Sequence, residues 1–208
     1  PAFSAGGDLA FLRARTNMNK PARNAETMRQ FYGRFLSVRS LPFPTIAAIN
    51  GHAVGAGACL SLACDLRLMA GDVGAKIGFN FVRLGLTPGM GGSFMLPNLI
   101  GHQAASRLLL TGDLVSAQEA KELGLILQVT PAADLFPTSL DFARRIASAS
   151  PVAVRGVIKT MRNGFEGRSG GMEQALWREA DTQGLCYSSK DMVEGLDAIE
   201  SGREPVFT

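Results

Sequence analysis

The sequence predicts an α/β fold with a helical C-terminal region. In the first 150 residues, short apolar runs that end at glycines alternate with segments of helical periodicity, which is typical of an α/β chain. Toward the C-terminus helical patterns dominate, and a boundary falls near Pro151. We therefore predict an α/β core at residues 1–150 and a helical region at residues 151–208.

The elements of the first half follow from apolar spacing and from glycine positions. The basic stretch Arg13–Arg39 contains an apolar stripe that predicts a helix. The run Pro44–Asn50 predicts a buried strand, and the glycines from Gly51 to Gly57 predict a turn into a small-residue helix at residues 56–64. Asp65–Ala70 alternates polar and apolar residues, which predicts a second strand. The stripe in the first helix consists of Met28, Phe31, Tyr32, Phe35 and Leu36.

The second half is predicted to be mostly helical. The glycine-rich segment Gly85–Gly92 predicts a loop, and a helix is expected to begin near Ser93. Ser116 and Glu119 form a capping box, which predicts a helix that starts there and stops at Gly124. A brief strand is predicted at residues 125–129. Further helices are predicted at residues 134–149, 152–163, 172–187 and 190–201.

Composition and charge limit the class of protein. The 208 residues are 46% apolar and 19% charged, which is typical of a globular chain and excludes a disordered one. Residues 1–104 contain ten Lys/Arg but only four Asp/Glu. A mechanism with paired carboxylates therefore has few acids to use in this half.

Cysteine usage and the N-terminal residues bear on location. Cys59, Cys64 and Cys186 are an odd number of thiols, with no CxxC pair and no histidine at ligand spacing. Reduced thiols in a cytoplasmic protein are therefore expected, without a zinc site or a disulfide framework. The start of the sequence lacks the basic and apolar regions of a signal peptide. The longest apolar stretch, Thr45–Cys64, is interrupted by polar residues, so no membrane span is expected.

Two glycine-rich turns are the strongest chemical signal in the sequence. Ser4–Asp8 and Asn50–Gly57 each follow an apolar segment and precede a helical pattern. Helix starts expose backbone N–H groups, and two such starts facing each other would direct two donors at one carbonyl oxygen, as an oxyanion hole does. The alternative is that both are tight turns packed against neighbouring strands. Neither matches a phosphate-binding loop.

Four motifs together resemble the crotonase family, also called the enoyl-CoA hydratase/isomerase superfamily. Phe3–Leu9 (FSAGGDL) resembles the first signature of that family, and Ile46–Gly57 (IAAINGHAVGAG) resembles the second. Gly85–Ser93 (GLTPGMGGS) is similar to its proline–glycine loop, and Leu110–Asp113 (LTGD) to the block that follows. The motifs occur in order, with compatible spacing, over nearly the whole chain.

The resemblance implies a fold of repeated ββα units that form a spiral, with a C-terminal helical trimerisation region. Family members have strands before the first signature, so we expect those strands to lie outside this sequence, which begins almost on that signature. A homotrimer or hexamer is expected. No nucleic acid or membrane partner is expected.

The resemblance also implies a CoA thioester as substrate, with no separate cofactor. The two oxyanion N–H groups would come from Gly7 and Ala56, and the adenine would bind near Ser4–Gly6. The basic stretch Arg13–Arg39 would lie near the CoA phosphates or would form a solvated helix face. Predicted substrate contacts are Ser4, Ala5, Gly6, Asp8, Phe81, Leu84 and Gly89.

The carboxylates used in hydration are missing from the matching positions. Hydratases of the family use two glutamates as acid and base, and the resemblance puts these positions at Cys59 and Phe81. A third position, an aspartate in some members, is Gly89 here. Standard enoyl-CoA hydration is therefore not expected.

Three residues are candidates for the missing acid, base or nucleophile. Cys59 is either a nucleophile near a helix start or a small core residue. His52 is either a general base or a structural histidine, and Asn80 is able to orient a water. Three hypotheses remain open: an acyl-CoA isomerase, lyase or thioester hydrolase with a nonstandard base, a catalytically weak acyl-CoA-binding protein, and a structural subunit.

Overall fold

The computed structural model describes residues 2–8, 10–12, 14, 21–165, 194, 197–198, 201–203 and 206–207. The helix predicted at residues 172–187 lies outside this part of the chain, as does most of the one at residues 190–201. The chain divides into two compact units, the first containing Pro1–Leu41 and Thr45–Ser139 and the second Pro42–Pro44 and Leu140–Thr208. The boundary that the sequence suggests near Pro151 lies inside the second unit.

The strands of the first unit form two sheets. One sheet has the order β1-β3-β5-β6, in which β1, β3 and β5 are parallel and β6 is antiparallel to β5. The other has the order β2-β4-β7 and is parallel throughout. The strands are β1 (Ala2–Ser4), β2 (Ile46–Ile49), β3 (His52–Val54), β4 (Leu66–Ala70), β5 (Lys76–Gly78), β6 (Leu114–Ser116) and β7 (Gln128–Thr130).

Helices connect and follow these strands. Two short 3-10 helices, Leu36–Ser40 and Asn80–Leu84, lie between the longer elements. Ser116 caps its helix as predicted, because its side chain accepts a hydrogen bond from the Glu119 backbone N–H at 3.2 Å. The α-helices are α1 (Pro21–Phe35), α2 (Ala56–Ala63), α3 (Gly92–Ile100), α4 (His102–Thr111), α5 (Ala117–Glu122), α6 (Ala132–Ala147) and α7 (Pro151–Phe165).

The structure corrects the predicted elements in three places. The predicted turn at Gly51–Gly57 contains strand β3, because His52–Val54 pairs with β1 and β5. Strands β5 and β6 were not predicted, since each has only three residues. The predicted strand at residues 125–129 lies three residues later, as β7, because Leu125 and Ile126 close the C-terminal turn of α5 through hydrogen bonds to the Ala120 carbonyl.

Strand β4 is the centre of the parallel sheet and is buried on both faces. Arg67 is one of the polar residues in the alternating pattern that predicts this strand, and its side chain is buried. The guanidinium donates hydrogen bonds to the carbonyl oxygens of Leu125 at 2.9 Å, Cys64 at 2.7 Å and Ser61 at 3.3 Å. Burial lowers the pKa of Arg67, and these carbonyls compensate for the lost hydration. Arg67 thus joins α2, β4 and the segment after α5.

In the part of the chain that the structure describes, no helix has the length and apolar character needed to cross a bilayer.

Candidate active site

The two glycine-rich turns lie side by side at one edge of the four-stranded sheet. Strands β1 and β3 are parallel neighbours, with Ala2 opposite His52 and Ser4 opposite Ala53. The carboxyl ends of parallel strands meet at the same edge of a sheet. The Ala5–Asp8 turn therefore lies beside Gly55 and the first residues of α2.

Glycines, which have no side chain, allow the two turns to touch. A Cβ on Gly57 would collide with the Ser4 carbonyl oxygen and would lie 2.6 Å from the Ser4 Cβ. A Cβ on Gly6 would lie 2.9 Å from the Val54 carbonyl oxygen and 3.8 Å from the Ala56 nitrogen. These distances put the backbone of the first turn directly against the start of α2. Glycine at these positions therefore serves backbone-to-backbone packing.

Two backbone N–H groups in these turns have no acceptor among the residues that the structure describes. Within the described residues, neither the Gly7 nor the Ala56 N–H donates a hydrogen bond. Ala56 is the first residue of α2, where N–H groups have no partner inside the helix. The helix dipole adds partial positive charge at the same point. The two turns can thus offer N–H donors to a ligand oxygen.

Asp8 has a local structural role. Its carboxylate accepts a hydrogen bond from the Phe11 backbone N–H at 2.8 Å, and its carbonyl oxygen accepts one from the Leu12 N–H at 3.0 Å. This is the geometry of a residue that caps a helical turn. Asp8 was predicted as a substrate contact, and its described contacts are with its own turn.

The other acids in residues 1–104 also have structural partners. Asp65 accepts hydrogen bonds from the Thr45 backbone N–H at 2.7 Å and from the Thr45 hydroxyl at 2.9 Å. Asp72 accepts one from the Ala132 N–H at 2.8 Å. Glu26 bonds to Arg29 and Gln30 on the exposed face of α1. The turns at Gly7 and Ala56 therefore have no carboxylate committed to them from this half of the chain, other than the capping Asp8.

Asn80 and Phe81 lie against the second turn. A Cβ on Gly55 would lie 3.3 Å from the Asn80 Oδ1 and 4.0 Å from the Phe81 Cζ. Gly55 has a φ of +56°, which a side chain would strain, and its N–H donates to the Gly78 carbonyl at 2.9 Å. Leu84, at the end of the same 3-10 helix, is exposed. The structure thus brings Asn80 and Phe81 to Gly55 and shows no contact that would bring Leu84 there.

Cys59 is buried beneath the proline–glycine loop. Its side chain is fully inaccessible, and its Sγ donates to the Gly89 carbonyl oxygen at 3.5 Å. A Cβ on Gly92 would lie 3.0 Å from the same sulfur. Burial raises the pKa of the Cys59 thiol to about 12. A neutral buried thiol favours the core-residue interpretation of Cys59 over the nucleophile interpretation.

We predict that the Cys59 thiol makes the protein less stable at alkaline pH. The folded thiol has a pKa of about 12, against the ordinary cysteine value of 9.0 in the unfolded chain. The unfolded state therefore loses its proton first, and the stabilisation present below pH 9 declines as the pH rises toward 12. Between pH 7 and pH 10 this amounts to about 1 kcal/mol of unfolding free energy.

Urea denaturation of the parent and of Cys59→Ala at both pH values measures the effect. The variant is expected to be less stable at pH 7, because it leaves a small cavity, but to lose about 1 kcal/mol less than the parent on going to pH 10. Equal losses in the two proteins would contradict the assigned protonation state.

His52 lies at the far end of strand β3 from Ala56. Its Nδ1 accepts a hydrogen bond from the Lys76 backbone N–H at 3.1 Å, and its side chain is exposed. The contact joins β3 to the start of β5. The structure does not bring His52 to the two glycine-rich turns, and this placement favours a structural role.

Sequence reasoning missed Tyr32 as a neighbour of the proline–glycine loop. A Cβ on Gly89 would lie 2.5 Å from the Tyr32 Oη and 2.9 Å from its Cζ. In the sequence Tyr32 belongs to the apolar stripe of α1, and no local signal connects it with Gly89. Only the packing of α1 on the loop reveals the contact.

The described residues contain no group of three or more His, Cys, Asp or Glu side chains able to hold a metal ion. The arrangement they do form is an electrostatic one: two backbone donors, a helix start, and the side chains of Asn80 and Phe81 beside them.

Comparison with known proteins gives one consistent family. The model of the family described as Enoyl-CoA hydratase/isomerase matches residues 1–208. The chain is 38% identical over 212 residues to Enoyl-CoA isomerase/hydratase fer4 of Mycosarcoma maydis, covering 100% of this chain and 73% of that protein. It is 37% identical over 206 residues to Crotonyl-CoA hydratase of Syntrophomonas wolfei subsp. wolfei, covering 99% and 76% respectively.

Solved structures give the same result for the fold. The structure of an enoyl-CoA hydratase from Bacillus anthracis superposes with a TM-score of 0.84 at 37% identity, covering 94% of this chain and 74% of that one. An enoyl-CoA hydratase from Polaromonas sp. JS666 gives a TM-score of 0.87 at 30% identity, covering 98% and 77%.

Proposed function

The chain belongs to the enoyl-CoA hydratase/isomerase family, also called the crotonase family, and has its fold. On that premise we propose that it binds an acyl-CoA thioester, with the thioester oxygen between the backbone nitrogens of Gly7 and Ala56. The observation that carries the proposal is the pair of turns held together by the Gly57–Ser4 contact, each with an N–H that lacks an acceptor among the described residues.

The two N–H groups would stabilise negative charge on the thioester oxygen. When a proton leaves the carbon next to the thioester, or a nucleophile adds to the carbonyl, that oxygen becomes an oxyanion. Fixed donors lower the energy of this state without reorganising, and removing one such donor elsewhere costs about 10²- to 10³-fold in rate. The chemistry fits an isomerase, a lyase or a thioester hydrolase.

The proposed reaction is not standard hydration. The three positions expected to provide a carboxylate hold Cys59, Phe81 and Gly89. Cys59 is buried with a pKa of about 12, and Phe81 and Gly89 have no titratable group. The protein would therefore use the oxyanion site together with a base other than these residues.

A second candidate function is that of a catalytically weak acyl-CoA-binding protein. The contacts of the acids in residues 1–104 favour it, because each acid already has a structural partner. These acids are Asp8, Glu26, Asp65 and Asp72. In this case the oxyanion site would hold a thioester without transforming it.

The proposed function predicts that Ala56→Pro impairs the protein's action on acyl-CoA thioesters. Ala56 is the first residue of α2, where proline is well tolerated, and the substitution replaces the donor N–H with a ring carbon at the point where the thioester oxygen would bind. In a panel of acyl-CoA thioesters with product analysis, the variant is expected to lose about 10²- to 10³-fold in turnover of any thioester that the parent transforms.

Ala56→Ser, which keeps the N–H, is the matched control. A structure with a bound acyl-CoA gives the direct check, since the thioester oxygen should lie within hydrogen-bonding distance of the Gly7 and Ala56 nitrogens. An oxygen more than about 4 Å from both nitrogens would show that the proposed site is wrong.

We further propose that the protein is a homotrimer or a hexamer, assembled through the helical region that begins near Pro151. The support is the family resemblance, and in the described part of this region α7 carries exposed apolar side chains at Val157 and Met161. Light scattering coupled to size-exclusion chromatography is expected to give a mass of three or six chains of 22.0 kDa. A monomer at micromolar concentration would count against this assembly.

A further inference from the structure

We propose that Tyr32 is a specificity-determining residue of the acyl site, and that its hydroxyl donates a hydrogen bond to an oxygen atom carried by the acyl chain. The substrates would then be thioesters of hydroxylated or oxo acids in preference to those of simple alkyl acids. The inference rests on the proposed function, because it takes the Gly7–Ala56 pair as the position of the thioester oxygen.

The Tyr32 side chain packs directly against Gly89. The Tyr32 Oη lies 2.5 Å from the point where a Cβ on Gly89 would be, and Cζ lies 2.9 Å from it. The phenol therefore fills the space that any side chain at position 89 would need. Glycine at this position is what allows α1 to present a hydroxyl group to the loop.

The Tyr32 hydroxyl lies near the face of α2 that contains Cys59. The Gly89 carbonyl oxygen accepts from the Cys59 Sγ at 3.5 Å. Cys59 and Ala56 are three residues apart in one helix, so they lie on the same face. Gly89, and Tyr32 against it, therefore lie on the face of α2 that begins at Ala56. A short acyl chain attached to a thioester at Ala56 can extend along this face.

The Tyr32 hydroxyl is available as a hydrogen-bond donor. It forms no hydrogen bond with any residue that the structure describes. Tyr32 is half-buried, and the centroid of the Phe31 ring lies 6.3 Å from that of its own ring. Partial burial raises the pKa of Tyr32, with a smaller contribution from Cys59, so the phenol stays neutral and is a donor at physiological pH.

The loop next to this hydroxyl is held in a constrained conformation. Met90 has a φ of +51°, the one non-glycine residue with positive φ among those described, and its side chain is buried. Such a conformation persists only where the surrounding packing fixes it. The buried Met90 side chain therefore helps to fix the conformation of the loop that contains Gly89.

The consequence is discrimination between acyl chains. An alkyl chain that covers the phenol excludes water from the hydroxyl and leaves it without a partner, whereas a chain with an oxygen at that point provides an acceptor. Leaving a buried donor unpaired is costly enough to reduce affinity about tenfold. Sites built to bind a substrate oxygen reject analogues that lack it for this reason.

The test is a calorimetric titration of the full chain with four ligands: CoA, butyryl-CoA, 3-hydroxybutyryl-CoA and 4-hydroxybutyryl-CoA. The parent is expected to bind at least one hydroxylated thioester about tenfold more tightly than butyryl-CoA. Tyr32→Phe keeps the ring and removes the hydroxyl, and is expected to reduce this ratio to about one while affinity for CoA changes less than about twofold.

Two further variants control for indirect effects. Gly89→Ala puts a methyl group where the hydroxyl lies and, by displacing it, is expected to reduce the same ratio. Gln30→Ala, on the exposed side of α1, is expected to leave the ratio unchanged. Because the readout is a ratio between ligands, a general loss of stability does not imitate the result.

The outcomes separate the two proposals. If the parent binds CoA thioesters without preferring a hydroxylated chain, or if Tyr32→Phe keeps the preference, the role of Tyr32 is refuted and the proposed function stands. If the parent binds none of the thioesters, the proposed function fails and the inference fails with it.

Discussion

Crotonyl-CoA hydration by the full-length protein is expected to be slower than about 0.01 per second, which is about a thousandfold below a typical enzyme turnover of about 10 per second. A positioned general acid or base contributes about 10²- to 10⁴-fold. Here the two positions expected to provide them hold Cys59, whose pKa is about 12, and Phe81. The measurement is the loss of the enoyl absorbance over time at neutral pH.

Slow hydration has to be distinguished from failure to bind. A calorimetric titration with crotonyl-CoA supplies this control, because binding with a slow reaction is the expected combination. A turnover near 10 per second would refute the expectation, and it would mean that a group outside Cys59, Phe81 and Gly89 takes both proton-transfer roles.

Gly57→Ala is expected to lower the unfolding free energy by about 2–3 kcal/mol, which is in the range for overpacked sites. At most positions in a helix the same change stabilises a protein by up to about 1 kcal/mol, because alanine has the higher helix propensity. The sign reverses here because the new Cβ would collide with the Ser4 carbonyl oxygen and come within 2.6 Å of the Ser4 Cβ. Strand β1 or the start of α2 has to move.

The same displacement separates the two N–H groups, so affinity for an acyl-CoA is expected to fall more than about tenfold. Gly33→Ala is the matched control, since Gly33 lies within α1 and a Cβ there would have no atom within 4 Å. Thermal or urea denaturation of both variants checks the prediction. A Gly57→Ala protein as stable as the parent would mean that the two turns are not packed as described.

The sequence predicted the larger elements of the first unit because their signals are local. Apolar runs bounded by proline and glycine predicted β2, and small residues after a glycine predicted α2. The helix start at Ser116 needs only two residues one helical turn apart, and the structure has the Ser116 cap on the Glu119 N–H, while the Glu119 carboxylate pairs with Arg107. Strands of three residues, such as β3 and β5, have no periodicity of their own and form through pairing with other strands.

The burial of Arg67 could not be predicted from the sequence for a related reason. The pattern of β4 contains a charged residue, Arg67, whose buried guanidinium donates to the carbonyl oxygens of Ser61, Cys64 and Leu125. Two of those carbonyls belong to the end of α2 and its cap, and the third follows α5. A sequence pattern contains the charge of Arg67 but not the partners that allow it to be buried.

The sequence by itself determined the two glycine-rich turns and the absence of carboxylates at Cys59, Phe81 and Gly89, because residue identity and order along the chain are sufficient for both. The tertiary structure alone decided which groups these turns meet. The parallel pairing of β1 and β3 brings the first turn, at Gly6, against Ala56, and the packing of α1 brings Tyr32 to Gly89, which is 57 positions further along the chain. Contacts between distant segments depend on how elements pack, which local spacing does not encode.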